Sequence, residues 1–201
     1  GGEPFMNPEI MIMLRKSLSY GFNALVLTNA MRPMMKFSSE LVELKTSYDH
    51  KLTIRVSLDH YTRELQEIER GLNTWSVVIA GIKWLSQNGF HLHIAGRTKW
   101  GESEDETRAG FGNLFKKLRV DIDPWNVKTL VLFPEMSEAT DVPEITTSCW
   151  DMLSVNPDTM MCASSRMVVK HKGQMQPTIQ ACTLLPYDAK FSLGNKLATA
   201  K

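Results

Sequence analysis

Apolar residues in the first part of the chain recur with two spacings, one typical of helices and one typical of strands. The first helix is marked by apolar residues that recur at helical spacing: Ile10, Met11, Met13, Leu14 and Leu18. It is expected to begin near Pro8, with Asn7 capping its first turn, and to end at Gly21. Residues 24–27 then form a continuous apolar run, which predicts a short strand buried on both faces.

Two later strands alternate between apolar and polar side chains. They are predicted over residues 52–59 and 91–98, and their polar positions are Arg55, Ser57, Asp59, His91, His93 and Arg97. Because a closed barrel usually fills its interior with branched apolar residues, this face predicts either a wet cavity or a sheet with one solvated face. The pattern alone does not choose between these two interpretations.

Helices are predicted between the strands, at residues 31–48 and 75–85, with a charged connection over residues 61–71. An acidic run, residues 102–106, is interpreted as solvated surface before a further helix, and residues 127–133 form another apolar strand. Strands that alternate with helices predict the α/β class and a parallel sheet.

The pattern changes after about residue 142. A short helix around Trp150 and two strands, 166–170 and 178–184, predict a small C-terminal β-hairpin and helix segment. We therefore divide the chain into residues 1–142 and 143–201.

Composition narrows the function without identifying it. The 201 residues carry a formal net charge of +1, which argues against a field that attracts nucleic acid or an anionic membrane. No apolar run reaches the roughly 20 residues of a membrane span, and the expected location is the cytoplasm. Three cysteines, an odd number, favour free thiols or metal ligands over a secreted disulfide framework.

The loops that follow the strands are the expected ligand site, because the carboxyl ends of parallel strands meet at one edge of a sheet. Four segments would gather there: Gly1-Gly2-Glu3-Pro4, Thr28-Asn29, Asp59 and Gly96-Arg97. The opening glycine-rich loop is typical of a turn after a strand, so a strand is expected upstream of residue 1.

These segments resemble the radical S-adenosylmethionine (radical SAM) enzyme family. The family's GGEP loop matches Gly1-Gly2-Glu3-Pro4, and Leu27-Thr28-Asn29 and then residues 55–59 follow in the family's order. The resemblance covers about two thirds of the chain. It implies a partial (β/α) barrel that here lacks its N-terminal strands.

The resemblance implies a role for each matching residue. Gly1, Gly2 and Glu3, with Pro4 completing the loop, would receive the amino group of S-adenosylmethionine, and Thr28 and Asn29 would lie near the same moiety. Ser57 and Asp59 would reach the ribose and carboxylate, and Arg97, beside Gly96, would neutralise the carboxylate. The sequence departs from the family by having Ala30 where a glycine is common. A surface salt bridge is the alternative role for Arg97.

The family's 4Fe-4S cluster is held by a CxxxCxxC loop, and this sequence contains no such triplet. We interpret the chain as a fragment, inactive by itself, of a parent enzyme that cleaves S-adenosylmethionine reductively and abstracts hydrogen from a small-molecule or peptide substrate. The parent would need an electron donor. The alternatives are a non-catalytic degenerate scaffold and a zinc-stabilised interaction module.

The three cysteines lie in the C-terminal segment. Cys149, Cys162 and Cys182 resemble ligands of a twitch-type auxiliary iron–sulfur cluster, although no fourth cysteine is present. They are alternatively zinc ligands together with His171, or structural thiols. His91 and His93 could chelate a metal, but polar lining is the simpler interpretation of that pair.

Overall fold

A computed structural model describes residues 2–135, 146–183, 185 and 187–200, without the side chains of Cys162 and Thr199. The chain divides into two compact units, Gly1–Glu138 and Ala139–Lys201. The boundary predicted at residue 142 lies outside the described residues. No helix in the described part of the chain is both long and apolar enough to cross a membrane.

The first unit is a four-stranded parallel sheet with helices between the strands, so the predicted α/β class is confirmed. The strands pair in chain order: β1 Ala24–Thr28, β2 Leu52–Ser57, β3 His91–Thr98 and β4 Leu130–Pro134. The helices are α1 Ile10–Ser19, α2 Arg32–Met35, α3 Ser38–Tyr48, α4 Arg63–Arg70, α5 Thr74–Gln87 and α6 Glu104–Leu118. This arrangement is consistent with part of a barrel.

The core fills the space between the sheet and these helices. Its largest fully buried side chains include Leu18, Leu41, Leu44, Ile54, Ile82, Ile94, Phe111 and Phe115. The opposite face of β2 carries Thr53, Arg55 and Ser57, all half-buried, as the alternating pattern predicted. We call this opposite side of the sheet the inner face.

The prediction that β1 is buried on both faces is wrong. Val26 is buried, but Leu25 and Leu27 are about half exposed on the inner face, at 50% and 48%. The continuous apolar run therefore predicted a strand correctly but did not predict which of its faces are buried.

Several predicted boundaries also need correction. Residues 31–48 form two helices, because the chain turns at Phe37, whose ring lies 6.1 Å from that of Phe5. The supposed connection 61–71 contains α4, whose only buried residue is Gln66, so no apolar spacing marked it. β4 begins at Leu130 rather than at residue 127.

The start of α1 differs from the prediction in a small way. The helix begins at Ile10, and Glu9 occupies the cap position without a side-chain hydrogen bond. The Asn7 side chain instead accepts a hydrogen bond from the Glu9 N–H at 2.9 Å, in the turn that precedes the helix.

The second unit contains short elements. Its helices are α7 Cys149–Met152 and α8 Met161–Ser164, and its strands are β5 Met167–Val169 and β6 Thr178–Gln180. The two strands pair antiparallel, so the predicted hairpin is confirmed, with strands shorter than expected. Gly173 lies between them at φ +85°, a left-handed conformation that favours glycine.

Gly81 in α5 gives a test of how the helix packs against the end of β1. A Cβ atom at this position would lie 2.0 Å from the carbonyl oxygen of Ala30. We expect Gly81→Ala to lower the free energy of unfolding by about 1–3 kcal/mol, since overpacking outweighs the gain in helix propensity.

Urea unfolding measures this change, with Ser76→Ala at an exposed position of the same helix as the control. Because the clash is with a backbone atom, Ala30→Gly should not rescue the variant. A Gly81→Ala protein as stable as the wild type would contradict the observed packing.

Candidate functional site

Glu3 ties the opening loop to the end of β1. One carboxylate oxygen accepts hydrogen bonds from the Thr28 hydroxyl at 2.7 Å and the Phe5 N–H at 3.2 Å. The other accepts from the Asn29 N–H at 2.8 Å. The side chain therefore organises the loop, and what remains open to a ligand is the backbone around Gly2, where an added Cβ would meet nothing within 4 Å.

The residue after Asn29 has an unusual backbone. Ala30 is fully buried and has φ +54°, a left-handed conformation that costs a non-glycine residue roughly 1–2 kcal/mol. Its N–H donates to the Thr28 hydroxyl at 3.1 Å, which fixes the turn. The alanine therefore keeps the backbone shape for which a glycine is the common choice.

Two adjoining cavities open at the carboxyl ends of the strands. The first, of about 400 Å³, is lined by Gly2, Glu3, Pro4, Leu27, Thr28, Asn29, Ser57 and Arg70. The second, of about 210 Å³, is lined by Leu27, Ser57, Asp59, Arg70, Ala95, Gly96, Arg97, Phe133 and Pro134. Leu27, Ser57 and Arg70 belong to both, so the two cavities form one continuous site, which we call the rim site.

The structure thus brings together the residues that the sequence singled out, except Gly1, which lies outside the described residues. Gly96 takes part through its backbone. A Cβ at Gly96 would lie 2.9 Å from the Phe111 ring, so the core already requires a glycine there. Which of these residues bind a cofactor stays a prediction.

Asp59 is the most constrained acid of the rim site. It is 2% exposed, and both of its carboxylate oxygens accept hydrogen bonds from the Arg70 guanidinium. Arg97 lies 3.4 Å from the same carboxylate and 3.0 Å from that of Glu69. The hydrogen bond to Asp59 raises the pKa of Arg70, so this guanidinium keeps its charge.

Arg70 is the rim-site residue that the sequence analysis missed. It is the last residue of α4, and it lines both cavities. Gly71, in a left-handed conformation directly after it, is the helix-ending signal that could have identified the helix.

A second polar cluster lies behind the rim. His60 is 1% exposed, and its Nδ1 accepts the Thr62 N–H at 3.0 Å, so Nε2 carries the proton and donates to Glu102 at 3.3 Å. The Tyr61 hydroxyl donates to the other oxygen of Glu102 at 2.6 Å. The prediction that Glu102 is solvated surface is therefore wrong.

Burial shifts the titration of this cluster. It lowers the pKa of His60, although the neighbouring Glu102 acts in the opposite direction. Burial acts to raise the pKa of Glu102, but the hydrogen bonds from Tyr61 and His60 outweigh it, and that pKa is lowered. The hydrogen bond to Glu102 raises the pKa of Tyr61 to about 12. The cluster joins the loop after β2 to the loop after β3.

The remaining predicted polar residues lie lower on the inner face. Arg55 is 3.5 Å from Nδ1 of His93 and donates to the Lys128 carbonyl at 3.3 Å. His91 is exposed and lies 3.7 Å from Asp49. Burial and the Arg55 charge lower the pKa of His93. The two histidines do not form a metal site with a third ligand among the described residues.

The predicted metal ligands in the second unit are only partly described. Cys149 and Cys182 are half-buried free thiols, and the side chain of Cys162 lies outside the described residues. The His171 ring packs against that of Tyr187 at 5.7 Å. Within the described part of the chain no three His, Cys, Asp or Glu residues are placed to hold a metal. Metal binding by the cysteines therefore stays a prediction.

Comparison with known proteins gives structural matches only. No protein-family model and no curated protein matches the chain. SuiB from Streptococcus suis matches with 16% identity over 77% of this chain and 33% of SuiB, at a TM-score of 0.49. SuiB bound to S-adenosylmethionine matches with the same identity and coverage at 0.50. SuiB bound to its precursor peptide SuiA matches with 19% identity over 60% of this chain and 26% of SuiB, at 0.47.

At this level of identity the match to S-adenosylmethionine-bound SuiB shows a common fold. The chain spans about a third of the length of the first-named SuiB structure.

The hydrogen bonds of Glu3 can be tested by a double-mutant cycle with Thr28. We expect Glu3→Gln to lower the free energy of unfolding by about 1–3 kcal/mol. The amide NH₂ group of glutamine would face a hydrogen-bond donor at a position where the carboxylate now accepts a hydrogen bond. Thr28→Val removes the same contact, so the double variant should lose less stability than the sum of the two single changes. We expect a coupling free energy of at least about 0.5 kcal/mol between the two positions. Glu9→Gln, without a side-chain capping bond, is the control. Additive effects of the two changes would argue against the contact.

The His60 cluster predicts a loss of stability in mild acid. Because folding lowers the pKa of His60, the unfolded chain binds more protons below the ordinary value of 6.5, and stability falls as the pH drops through 6.5. His93 contributes with the same sign, and Glu102 adds a further loss below 4.5. Urea unfolding on either side of pH 6.5 should show a shallower pH dependence in His60→Gln.

The exposed His50 offers the matched control, since His50→Gln should keep the wild-type pH dependence. An NMR titration of His60 in the wild-type protein provides an independent measurement. A midpoint above 6.5 would overturn the assignment.

Proposed function

We propose that this chain is the S-adenosylmethionine-binding portion of a radical SAM iron–sulfur enzyme. The observation that carries the proposal is the Glu3 carboxylate hydrogen-bonded to Thr28 and Asn29, with Ser57 on the same cavity. Three separate parts of the family's sequence pattern thereby meet at one site. The fold it shares with SuiB, whose structure has been determined with S-adenosylmethionine bound, supports the same reading.

The rim site has suitable groups for this cofactor. A volume of about 400 Å³ falls within the range of small-molecule sites, roughly 300–1,000 Å³. The Ser57 hydroxyl makes no hydrogen bond among the described residues, and the Asn29 side-chain oxygen accepts the Met31 N–H at 3.0 Å, which leaves its NH₂ group as a donor. A zwitterionic amino acid joined to a nucleoside needs such donors, together with backbone carbonyls for its ammonium group.

Each residue predicted to bind the cofactor is assigned a role in the proposal. The backbone of Gly1, Gly2 and Glu3 receives the ammonium group, and the hydrogen bonds of Glu3, which Pro4 follows, hold Glu3 in place. Asn29 and Thr28 shape the same end of the site. Ser57 donates to the ribose. Asp59, closed off by Arg70, positions Arg97 beside Gly96, and Arg97 faces the cofactor carboxylate from the second cavity.

S-adenosylmethionine, when bound with a reduced 4Fe-4S cluster, would supply radical hydrogen abstraction from a small-molecule or peptide substrate. The described residues offer no three ligands placed to hold a metal, so we assign no step to a cluster in this chain. The cluster, its electron donor and the N-terminal strands belong in our proposal to the parent protein. The cysteines of residues 143–201 remain candidates for an auxiliary iron–sulfur cluster or zinc.

The decisive experiment is to read the coding sequence upstream of residue 1 and to reconstitute the encoded protein anaerobically. We expect a CxxxCxxC triplet, bound iron and sulfide, and formation of 5′-deoxyadenosine from S-adenosylmethionine. A start codon at this position, or stoichiometric zinc without iron, would defeat the proposal.

The chain alone should bind S-adenosylmethionine only weakly, and micromolar binding by calorimetry would contradict that expectation.

In the reconstituted protein we expect Ser57→Ala to weaken S-adenosylmethionine binding by about tenfold, the effect of one lost hydrogen bond. Ser47→Ala is the matched control, because that hydroxyl is exposed and bonds to the Glu43 carbonyl. If the Ser57→Ala protein and the wild type bind S-adenosylmethionine with equal affinity, Ser57 does not contribute to binding.

A further inference from the structure

Within the part of the chain that the structure describes, Arg55 differs from three other arginines of the first unit in having no carboxylate partner. Arg70, Arg97 and Arg108 each lie within ion-pair distance of an acid. Arg55 is half-buried, and among the described residues its guanidinium contacts only the Lys128 carbonyl and His93. Its Nε is buried without a hydrogen-bond partner in the described part of the chain. A half-buried cation in this state is stabilised by an anion.

The position of Arg55 relates it to the rim site. It lies two residues before Ser57 on the same face of β2, which is one row deeper, about 6.6 Å along the strand. In the register of the sheet it stands between Leu27 of β1 and His93 of β3. Arg55 therefore lies one row below Ser57 and in the same row as Leu27, on the inner face of the sheet.

The surroundings define the chemistry of that ligand. Leu27 is 48% exposed and offers apolar surface beside the guanidinium. His93 presents a ring nitrogen to Arg55 on the other side, and burial holds its pKa low, so it adds no second full charge at neutral pH. One cation beside an apolar wall fits a single carboxylate at the end of an apolar stem.

We propose that Arg55 binds the carboxylate of the substrate, with the substrate's apolar stem lying along Leu27. This inference rests on the proposed function only in taking the inner face as the substrate side of the site. The carboxylate belongs either to a small organic acid or to an acidic side chain of a peptide, and both present the same group to the guanidinium.

The test uses hexanoate and its neutral isostere hexanamide as probes of the 201-residue chain, with binding followed by NMR chemical shifts. We expect hexanoate to bind at least about tenfold more tightly than hexanamide, with the shifts centred on Arg55 and His93. Arg55→Met should abolish the preference. Arg15→Met removes the same charge from the exposed face of α1, where Arg15 pairs with Glu43, and should leave the preference intact.

A capped tripeptide with a central glutamate, compared with its glutamine counterpart, separates the two sources. Tighter binding of hexanoate assigns a small acid, and tighter binding of the glutamate peptide assigns a peptide side chain. Equal binding of acid and amide by the wild type, or shifts that avoid Arg55, would overturn the proposal even if Arg55→Met fails to fold.

These probes require neither S-adenosylmethionine nor a cluster. A failure here therefore leaves the cofactor proposal standing, and a failure of S-adenosylmethionine cleavage in the reconstituted parent leaves the carboxylate result standing.

Discussion

The buried carboxylate of Asp59 is the constraint on which the rim of the sheet depends. A charge that is 2% exposed must be compensated, and the compensation comes from Arg70 at the far end of α4. The backbone of the same residue is held from two sides: the Gln66 side chain accepts its N–H at 2.8 Å, and its carbonyl accepts the Arg97 N–H at 3.0 Å. Asp59 thereby connects β2, the end of β3 and α4 through hydrogen bonds.

Glu3 connects a loop to the end of β1, as Asp59 connects α4 to the end of β2. Each is a carboxylate whose two oxygens are both used by the protein, and each joins a loop to a strand end. A ligand that bonds to either carboxylate therefore shares its oxygens with these protein hydrogen bonds. What the two acids leave available are backbone groups near Gly2, the Ser57 hydroxyl and the outer N–H groups of the arginines, which are groups that bind and orient rather than groups that exchange protons.

The sequence predicted most of the fold because the carboxyl ends of parallel strands must meet, so locating β1, β2 and β3 was enough to bring Thr28, Ser57 and Arg97 together. The sequence-based prediction failed where the buried side chains are polar. α4 buries only Gln66, and Glu102 looks like one of several surface acids until three side chains donate to it. It also failed for Leu25 and Leu27, because an apolar strand reads the same whether one face or both are covered.

The charges of the inner face are arranged by depth. At the rim, Arg70 and Arg97 are matched by Asp59 and Glu69, so the entrance carries little net charge and suits a zwitterion. One row deeper, Arg55 is unmatched among the described residues and sits beside a histidine whose pKa is held low. A zwitterion gains little by moving inward, whereas an anion gains a cation by doing so. Among the described residues the inner face is therefore close to neutral at the rim and positive one row deeper.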